Sequence, residues 1–331
     1  MAEKLPVTII VTGRNSASTI EPCLEGLASQ EYPIDEIIVF DNGSTDDSVA
    51  RVEAFAARSR VPVRLERRTS AGGICTSYND GANMTSSPLL ILVHSDGAFP
   101  SPHELEKLVA PVADNPDVVA SYPGLLMPAE NWERFPFWQK CNFARDVGRV
   151  SFSMCGLFDC VRKSVYLEAG GYDARRFTTT CGYGGEDGDA HFRFAKRGRA
   201  VKSDARVIHL HDLSGSYGLG TLFVRRKLLA RTYGKVIRFQ GLFPIRPKVL
   251  FFVKPALAVF PWLFPLYTFL PGLALQLAFS LANSWKMYTS RSTLLDPRIL
   301  LLPFVDVAFI YYEAFWFFEG LITRATDEQT Q

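Results

Sequence analysis

Apolar residues along the first hundred positions fall into short runs without helical period, separated by stretches that have one. Val7–Thr12 (V-T-I-I-V-T) and Leu89–Val93 (L-L-I-L-V) are continuous apolar or β-branched runs, the pattern of strands buried on both faces. Glu36–Phe40 predicts a second strand of this kind, and Val63–Glu66 a third, shorter one. Between the strands, Ile20, Leu24 and Leu27 recur on one face of a helix that Ser18 can cap and that extends to about Gln30. Val49, Val52 and Phe55 mark the next helix by the same spacing. Strand, helix, strand, helix predicts βαβ units around a parallel sheet. Further on, Met154–Val161 predicts a strand returning to that sheet. Arg206–His211 (R-V-I-H-L-H) alternates, which would put His209 and His211 on one side of a strand.

The polar residues collect where these runs stop. The first strand runs into Gly13-Arg14-Asn15, the second into Asp41-Asn42-Gly43-Ser44-Thr45-Asp46, and the Leu89 strand into His94-Ser95-Asp96-Gly97. In open α/β sheets ligands bind outside the C-terminal strand ends. A carboxylate there can hold a divalent cation, and the cation a diphosphate. The competing reading of Asp96 is a cap for the helix beginning near Pro102, and Asp46 reads equally as a helix cap. Gly72 and Gly73 permit close backbone approach. Glu186 and Asp187 open a helix after a glycine-rich stretch, where carboxylates are favoured electrostatically. Neighbours on a helix point about 100° apart, so only one of the two can face a ligand.

Composition narrows the classes. The 331 residues suffice for one large or two modest domains, and a formal charge of +2 does not suggest a nucleic-acid partner. Six cysteines show no CxxC pair, which fits a reduced, cytosol-facing domain. The N-terminal residues lack an apolar h-region, so no cleaved signal peptide is expected. Residues 121–150 are aromatic and irregular, as a core segment or an acceptor pocket would be. From Val249 the chain turns apolar: Val249–Ser284 carries one charge, Lys254, and four prolines. That segment could span a membrane with kinks or form a re-entrant pair, and Ile299–Ile322 could supply another span. The carboxylates Asp306, Glu313 and Glu319 would be costly there unless partnered. Lys286, Arg291 and Arg298 in the connection favour a pair of interfacial helices. An apolar helical subdomain or an oligomer interface is the alternative. The basic stretch Arg225-Arg226-Lys227, with Arg231 and Lys235, reads as a phosphate or headgroup contact or as a solvated helix face.

V-T-I-I-V-T-G-R-N, then E-I-I-V-F-D-N-G-S-T-D-D-S, resembles the opening of family 2 glycosyltransferases with the GT-A fold, over roughly residues 5–235. The resemblance implies a GT-A α/β domain over residues 1–240, followed by a hydrophobic helical, membrane-associated tail over 241–331, with the catalytic domain on the cytoplasmic side. It implies a nucleotide-diphosphate-sugar donor held by Thr12, Gly13, Asn15, Asp41, Gly73 and Asn79. Tyr78 stands where the family often has a basic residue. His94-Ser95-Asp96 falls at the family's Asp-x-Asp motif, so Asp96 is carried over as a ligand of Mn²⁺ or Mg²⁺, with His94 a ribose or outer contact. L-E-A-G-G-Y-D resembles the turn before the acceptor loop. The Glu186-Asp187 pair matches the family's general base, which would be Asp187, and His209, or alternatively His211, would complete the metal site. The implied activity is inverting, metal-dependent transfer to a hydroxyl acceptor on a glycan or lipid-linked precursor. A catalytically silent membrane scaffold and a sugar-1-phosphate nucleotidyltransferase are the alternatives. G-R-N-S-A-S is a poor version of the basic glycine-rich loop that the latter would need.

Overall fold

A computed structural model of the chain describes residues 4–68, 73–177, 185–211, 217–242 and 246–322. These divide into two compact units. The first takes residues 1–127, 150–182 and 186–212, and the second residues 128–149, 183–185 and 213–331. The second unit therefore begins before the tail expected from residue 241.

The first unit is built on one mixed sheet. Its strands are β1 (Val7–Gly13), β2 (Ile34–Asp41), β3 (Val63–Arg67), β4 (Leu89–His94), β5 (Gly97–Ala98), β6 (Val118–Leu126), β7 (Val150–Phe152), β8 (Phe158–Arg162) and β9 (Arg199–His209). They lie in the order β3-β2-β1-β4-β8-β6-β9-β5, with β7 on β6. The first four are parallel, as the βαβ pattern requires, through the helices α1 (Ile20–Ala28), α2 (Ser48–Arg58) and α3 (Gly73–Met84). Both faces of the central strands are covered. Val7, Ile9, Val11, Leu89, Ile91 and Val93 pack into one cluster, and Ile10, Ile38, Leu90 and Leu92 into the other. That is why their sequence is apolar without alternation.

Two strand expectations are corrected. The strand foreseen from Met154 starts only at Phe158, because Asp159 draws the N–H groups of Cys155 and Gly156 into a turn at 2.9 and 2.6 Å. Gly156 has φ +70 there. The alternation of R-V-I-H-L-H also stops short. β9 ends at His209, and His211 has φ +53, outside the extended region.

In the second unit the aromatic segment is core: Trp132, Phe135, Phe137 and Trp138 are buried around the short helices Ala129–Glu133 and Phe137–Phe143. Four longer helices follow α5 (Glu186–Ala195) of the first unit: α6 (Leu219–Gln240), α7 (Val253–Leu263), α8 (Pro265–Asn283) and α9 (Leu302–Ile322). The apolar stretch after Val249 is thus two helices, broken at Phe264 (φ −142, ψ 80), with Pro265 opening the second. Among the described residues, Pro265–Asn283 is the one helix long and apolar enough to cross a membrane.

These helices are inside out. Their outer faces carry Leu266 (94% exposed), Leu270, Phe304 and Phe315, while Gln276, Ser280, Ser284 and Glu313 are buried. Each carboxylate of α9 meets a partner: Asp306 accepts from Ser284 Oγ (2.6 Å), Glu313 from Lys254, and Glu319 from Arg231 at 2.6 and 2.9 Å. The basic stretch of α6 is therefore not a solvated face, since Arg226 and Arg231 turn inward onto α9 and Lys227 lies over Trp316 at 3.9 Å.

The approach of α6 to α9 depends on two glycines. A Cβ on Gly234 would strike the Phe317 carbonyl and come within 2.8 Å of the Leu321 amide, and one on Gly320 would strike the Arg231 carbonyl. Neither obstacle is a flexible side chain. Gly234→Ala should therefore cost stability on the order of 2 kcal/mol or more despite its gain in helix propensity, read as a fall in the thermal midpoint. An unchanged midpoint would mean that the two helices are not held in backbone contact.

Candidate active site

The parallel register sets three polar strand ends side by side. Gly13 of β1 is opposite Asp41 of β2, and Thr12 is opposite His94 of β4. The loops beyond them are tied together. Asn15, with φ +51, donates its N–H to Ser44 Oγ (2.8 Å), and its side-chain oxygen accepts from the Thr45 N–H (2.8 Å). Asp41 accepts from the Ser44 N–H (3.1 Å), and Asn42 donates to Thr12 Oγ1 (2.9 Å). Asp46 receives the N–H groups of both Ala17 and Ser48 at 3.0 Å, so it braces two loops besides serving its own helix start. Gly13 is demanded by a close approach, since a Cβ there would strike the Ser95 side chain.

β4 ends in His94, and two residues later β5 pairs antiparallel with β9, Gly97 opposite His209. The Leu210 N–H donates to the Asp96 carbonyl (2.9 Å), closing this corner. Asp96 Oδ2 and His209 Nε2 lie 2.8 Å apart as a result. The helix α4 (Glu104–Asp114) starts beyond His103 without any contribution from Asp96, so the capping reading falls away. His94, Asp96 and His209 each offer a ligand atom, and these atoms lie within 4.8 Å of one another. His94 Nε2 is buried without a hydrogen-bond partner. Burial pushes the His94 imidazole down to about 4, keeping it neutral with a free lone pair, and the His209 charge and hydrogen bond lead the effects that hold Asp96 well below the usual carboxylate range. A neutral imidazole, an ionised carboxylate and a second imidazole fit a divalent cation. His94 thus joins the two ligands anticipated from the sequence. His211 lies outside the triad, its ring centroid 3.7 Å from that of His209.

Beside His94 the chain passes through Gly156. A Cβ on this residue would come within 3.0 Å of His94 Nε2, 3.1 Å of Asp187 Oδ1 and 3.2 Å of the Tyr78 hydroxyl. The triad and the carboxylate of Asp187 therefore face each other across one glycine. Of the two carboxylates opening α5, Glu186 is buried and Asp187 remains partly accessible. Burial first, then the charges of Glu186 and Asp159, push the Asp187 carboxyl well above its ordinary value. Tyr172 donates to Asp187 Oδ1 at 3.1 Å.

Asn79 lies behind this tyrosine. Its side-chain oxygen accepts from the Tyr172 N–H (2.8 Å) and the Tyr166 hydroxyl (2.7 Å), and its amide donates to the Tyr172 carbonyl (2.9 Å). The structure places it as the brace of Tyr172, with its amide committed there. Gly73 opens α3 at φ +73, and Gly72 lies outside the described residues. Tyr78 donates to the Gly156 carbonyl (2.7 Å) and stacks on His94, 6.4 Å between centroids.

The glycosyl transferase family 2 model matches residues 8–157, the span from the first strand to the Gly156 turn. Over that span the chain is similar to glycosyl transferase family 2. A PGL/p-HBAD biosynthesis glycosyltransferase of Mycobacterium bovis is 22% identical over 170 residues, 51% of this chain and 63% of that protein. Glycosyltransferase AglE of Haloferax volcanii is 29% identical over 147 residues, 41% of this chain and 47% of that one. The chain spans less than two thirds of either relative. The mannosyltransferase PcManGT of Pyrobaculum calidifontis, solved with GDP-Man and Mn²⁺, superposes with a TM-score of 0.60 over 95% of this chain and 87% of that one, at 19% identity. GalNAc-T7, solved with UDP, GalNAc and Mn²⁺, gives 0.53 over 78% of this chain and 51% of that one, at 16% identity. These likenesses show the GT-A fold.

Reading the sequence missed Gly156, Tyr172 and Asp159 of this site. Asp159 had a legible signal, a carboxylate inside the apolar strand F-D-C-V. It is fully buried, and burial pushes it up to about 7 from the ordinary 3.8. The folded chain thus holds this proton more tightly than the unfolded one. The stability it contributes is full below about pH 4 and is lost as the pH rises to about 7. Asp159→Asn keeps an acceptor for the Cys155 and Gly156 amides and should flatten the decline in thermal midpoint over that window. A decline as steep as in the parent would place the titration elsewhere.

Proposed function

We propose that this chain is an inverting glycosyltransferase that moves a sugar from a nucleotide-diphosphate sugar to a hydroxyl acceptor on a lipid-linked or cell-surface glycan precursor. The observation that carries the reading is the pairing, across Gly156, of a His94–Asp96–His209 triad with the raised carboxylate of Asp187. Thr12, Gly13, Asn15 and Asp41 lie on the same strand edge and would take the base and ribose of the donor. His94, Asp96 and His209 would hold the divalent cation, with two imidazoles suiting Mn²⁺ better than Mg²⁺. That cation, when bound, supplies positive charge for the diphosphate leaving group.

Asp187 would take the proton of the acceptor hydroxyl. The new bond forms from that oxygen to the anomeric carbon as the bond to the diphosphate breaks, its electron pair leaving with the diphosphate. One displacement inverts the anomeric centre. A raised carboxyl is the stronger base and suits the task. Tyr172, fixed by Asn79, would hold the carboxylate toward the acceptor. The second unit would lie against a membrane through its apolar outer faces, which supports a lipid-linked acceptor. The cysteines among the described residues are free, in keeping with a catalytic unit on the reducing, cytoplasmic side. A silent scaffold would have no use for a buried, unpartnered imidazole beside an ionised carboxylate.

Nucleoside diphosphate released from a panel of nucleotide sugars with Mn²⁺ or Mg²⁺ tests the activity. Asp96→Ala should abolish turnover and weaken donor binding in Mn²⁺, and His209→Ala should lower metal affinity more than His211→Ala. Full turnover in excess chelator would refute the metal-dependent reading. Asp187→Asn keeps size and most hydrogen bonding but cannot accept the proton at neutral pH. It should cut turnover roughly 10²-fold or more with donor affinity nearly unchanged, while Glu186→Gln should be milder. Transfer by Asp187→Asn at near the parent rate would put the base elsewhere.

A further inference from the structure

The second unit holds a small polar pocket that the reaction above does not use. It opens among Arg145, Arg226 and Lys254, with Ser280 on its α8 wall and Asp306 and Glu313 on α9. Three cations thus face two carboxylates, and the carboxylates are already engaged. Glu313 accepts from Lys254 and lies 3.8 Å from an Arg226 nitrogen, and Asp306 accepts from Ser284. Arg226 Nε and the hydroxyl of Ser280, a residue 4% exposed, are buried without a hydrogen-bond partner, and so is one acceptor, Glu313 Oε1, which is 3.8 Å from Arg226 Nη1, so unmet donors still outnumber unmet acceptors. Arg145, its side chain 55% exposed, stands at the mouth. Buried donors left unmet are costly, and a cavity of this polarity is completed by an acceptor-rich ligand.

We propose that this pocket binds a phosphate-class oxyanion, held by the Arg226 and Arg145 guanidiniums and the Ser280 hydroxyl. A tetrahedral oxyanion offers several acceptor oxygens to donors converging from different helices, and guanidinium forks match its geometry. A carboxylate would meet fewer of them. The anion has two sources, a lipid headgroup or free phosphate. The outward apolar faces of α7, α8 and α9 bring a bilayer to the same unit, which favours the headgroup. The lipid source alone rests on the membrane placement proposed above, and the pocket's chemistry stands apart from the transfer reaction.

The test uses the full chain purified in non-ionic detergent. One arm titrates inorganic phosphate calorimetrically. The other measures co-sedimentation with vesicles of phosphatidylcholine alone or with one part in ten phosphatidic acid. Arg226→Gln and Arg145→Gln should each weaken the binding about tenfold or more, and Arg145→Gln, at the mouth, keeps the test open if Arg226→Gln fails to fold. Arg291→Gln, the same charge change in an exposed stretch outside the pocket, should leave it unaltered. Gain on phosphatidic acid vesicles without affinity for inorganic phosphate identifies the headgroup, and calorimetric binding without vesicle preference identifies the free ion. Equal losses for Arg291→Gln and Arg145→Gln would reduce the effect to surface charge and overturn the proposal. So would parent-like binding by the pocket variants, or no binding of either probe to the parent. Activity plays no part in either readout, so failure here leaves the transferase reading standing, and the reverse holds.

Discussion

Two backbone residues of β5 set against the end of β9 create the corner on which the site depends. Gly97 opposite His209 brings an imidazole from more than a hundred residues away to within 2.8 Å of Asp96. Alone, the carboxylate at the end of β4 is a polar turn residue. Beside His209 and His94 it becomes one of three donors converging on one point, with its ionised form favoured by the neighbouring imidazole. The rest of the unit positions this corner: the parallel register of β2, β1 and β4 lays the polar edge of Thr12, Gly13 and Asp41 beside it, and the Gly156 turn brings Asp187 to its other side.

The site uses opposite electrostatic settings for its two aspartates. His209 leads the effects that hold Asp96 ionised, the form that the proposed cation site needs. Asp187 sits among Glu186, Asp159 and tyrosines, where burial and like charge favour the protonated form and so make a stronger base. Two carboxylates pushed in different directions by their surroundings are the mark of divided labour. Tyr172 and Asn79 add a mechanical element, since three hydrogen bonds from Asn79 fix the tyrosine that meets Asp187.

The helical unit shows the reverse of the usual arrangement. Gln276, Ser280, Ser284 and Glu313 turn inward, while Leu266, Leu270, Phe304 and Phe315 turn out. In water this exposes a large apolar surface, and in an apolar medium it is the arrangement that hides the carboxylates of α9 and their partners. The close crossing of α6 and α9 at Gly234 and Gly320 belongs with it, because packing between backbones does not depend on expelling water.

The sequence by itself determined the parallel half of the sheet and the polar edge. Runs such as V-T-I-I-V-T and L-L-I-L-V are too apolar for any place but a strand covered on both faces, and the chain must turn where Gly13, Asp41 and His94 end them. Asp96, His209 and Asp187 were legible as candidates because ionisable groups at strand and helix ends are sparse. Local pattern could not say which candidates meet. Alternation suggested equal standing for His209 and His211, yet strand pairing ends at His209 and the backbone of His211 leaves the extended region. Asn79 read as a ligand contact, but its partners are Tyr166 and Tyr172, nearly ninety residues away or more. Likewise the basic run of α6 read as a phosphate or headgroup contact or as a solvated face, and local pattern could not show that α9 supplies carboxylates to Arg226 and Arg231. Periodicity reports which face a residue takes on its own element. What that face meets is decided by long-range pairing, and only the folded chain holds that information.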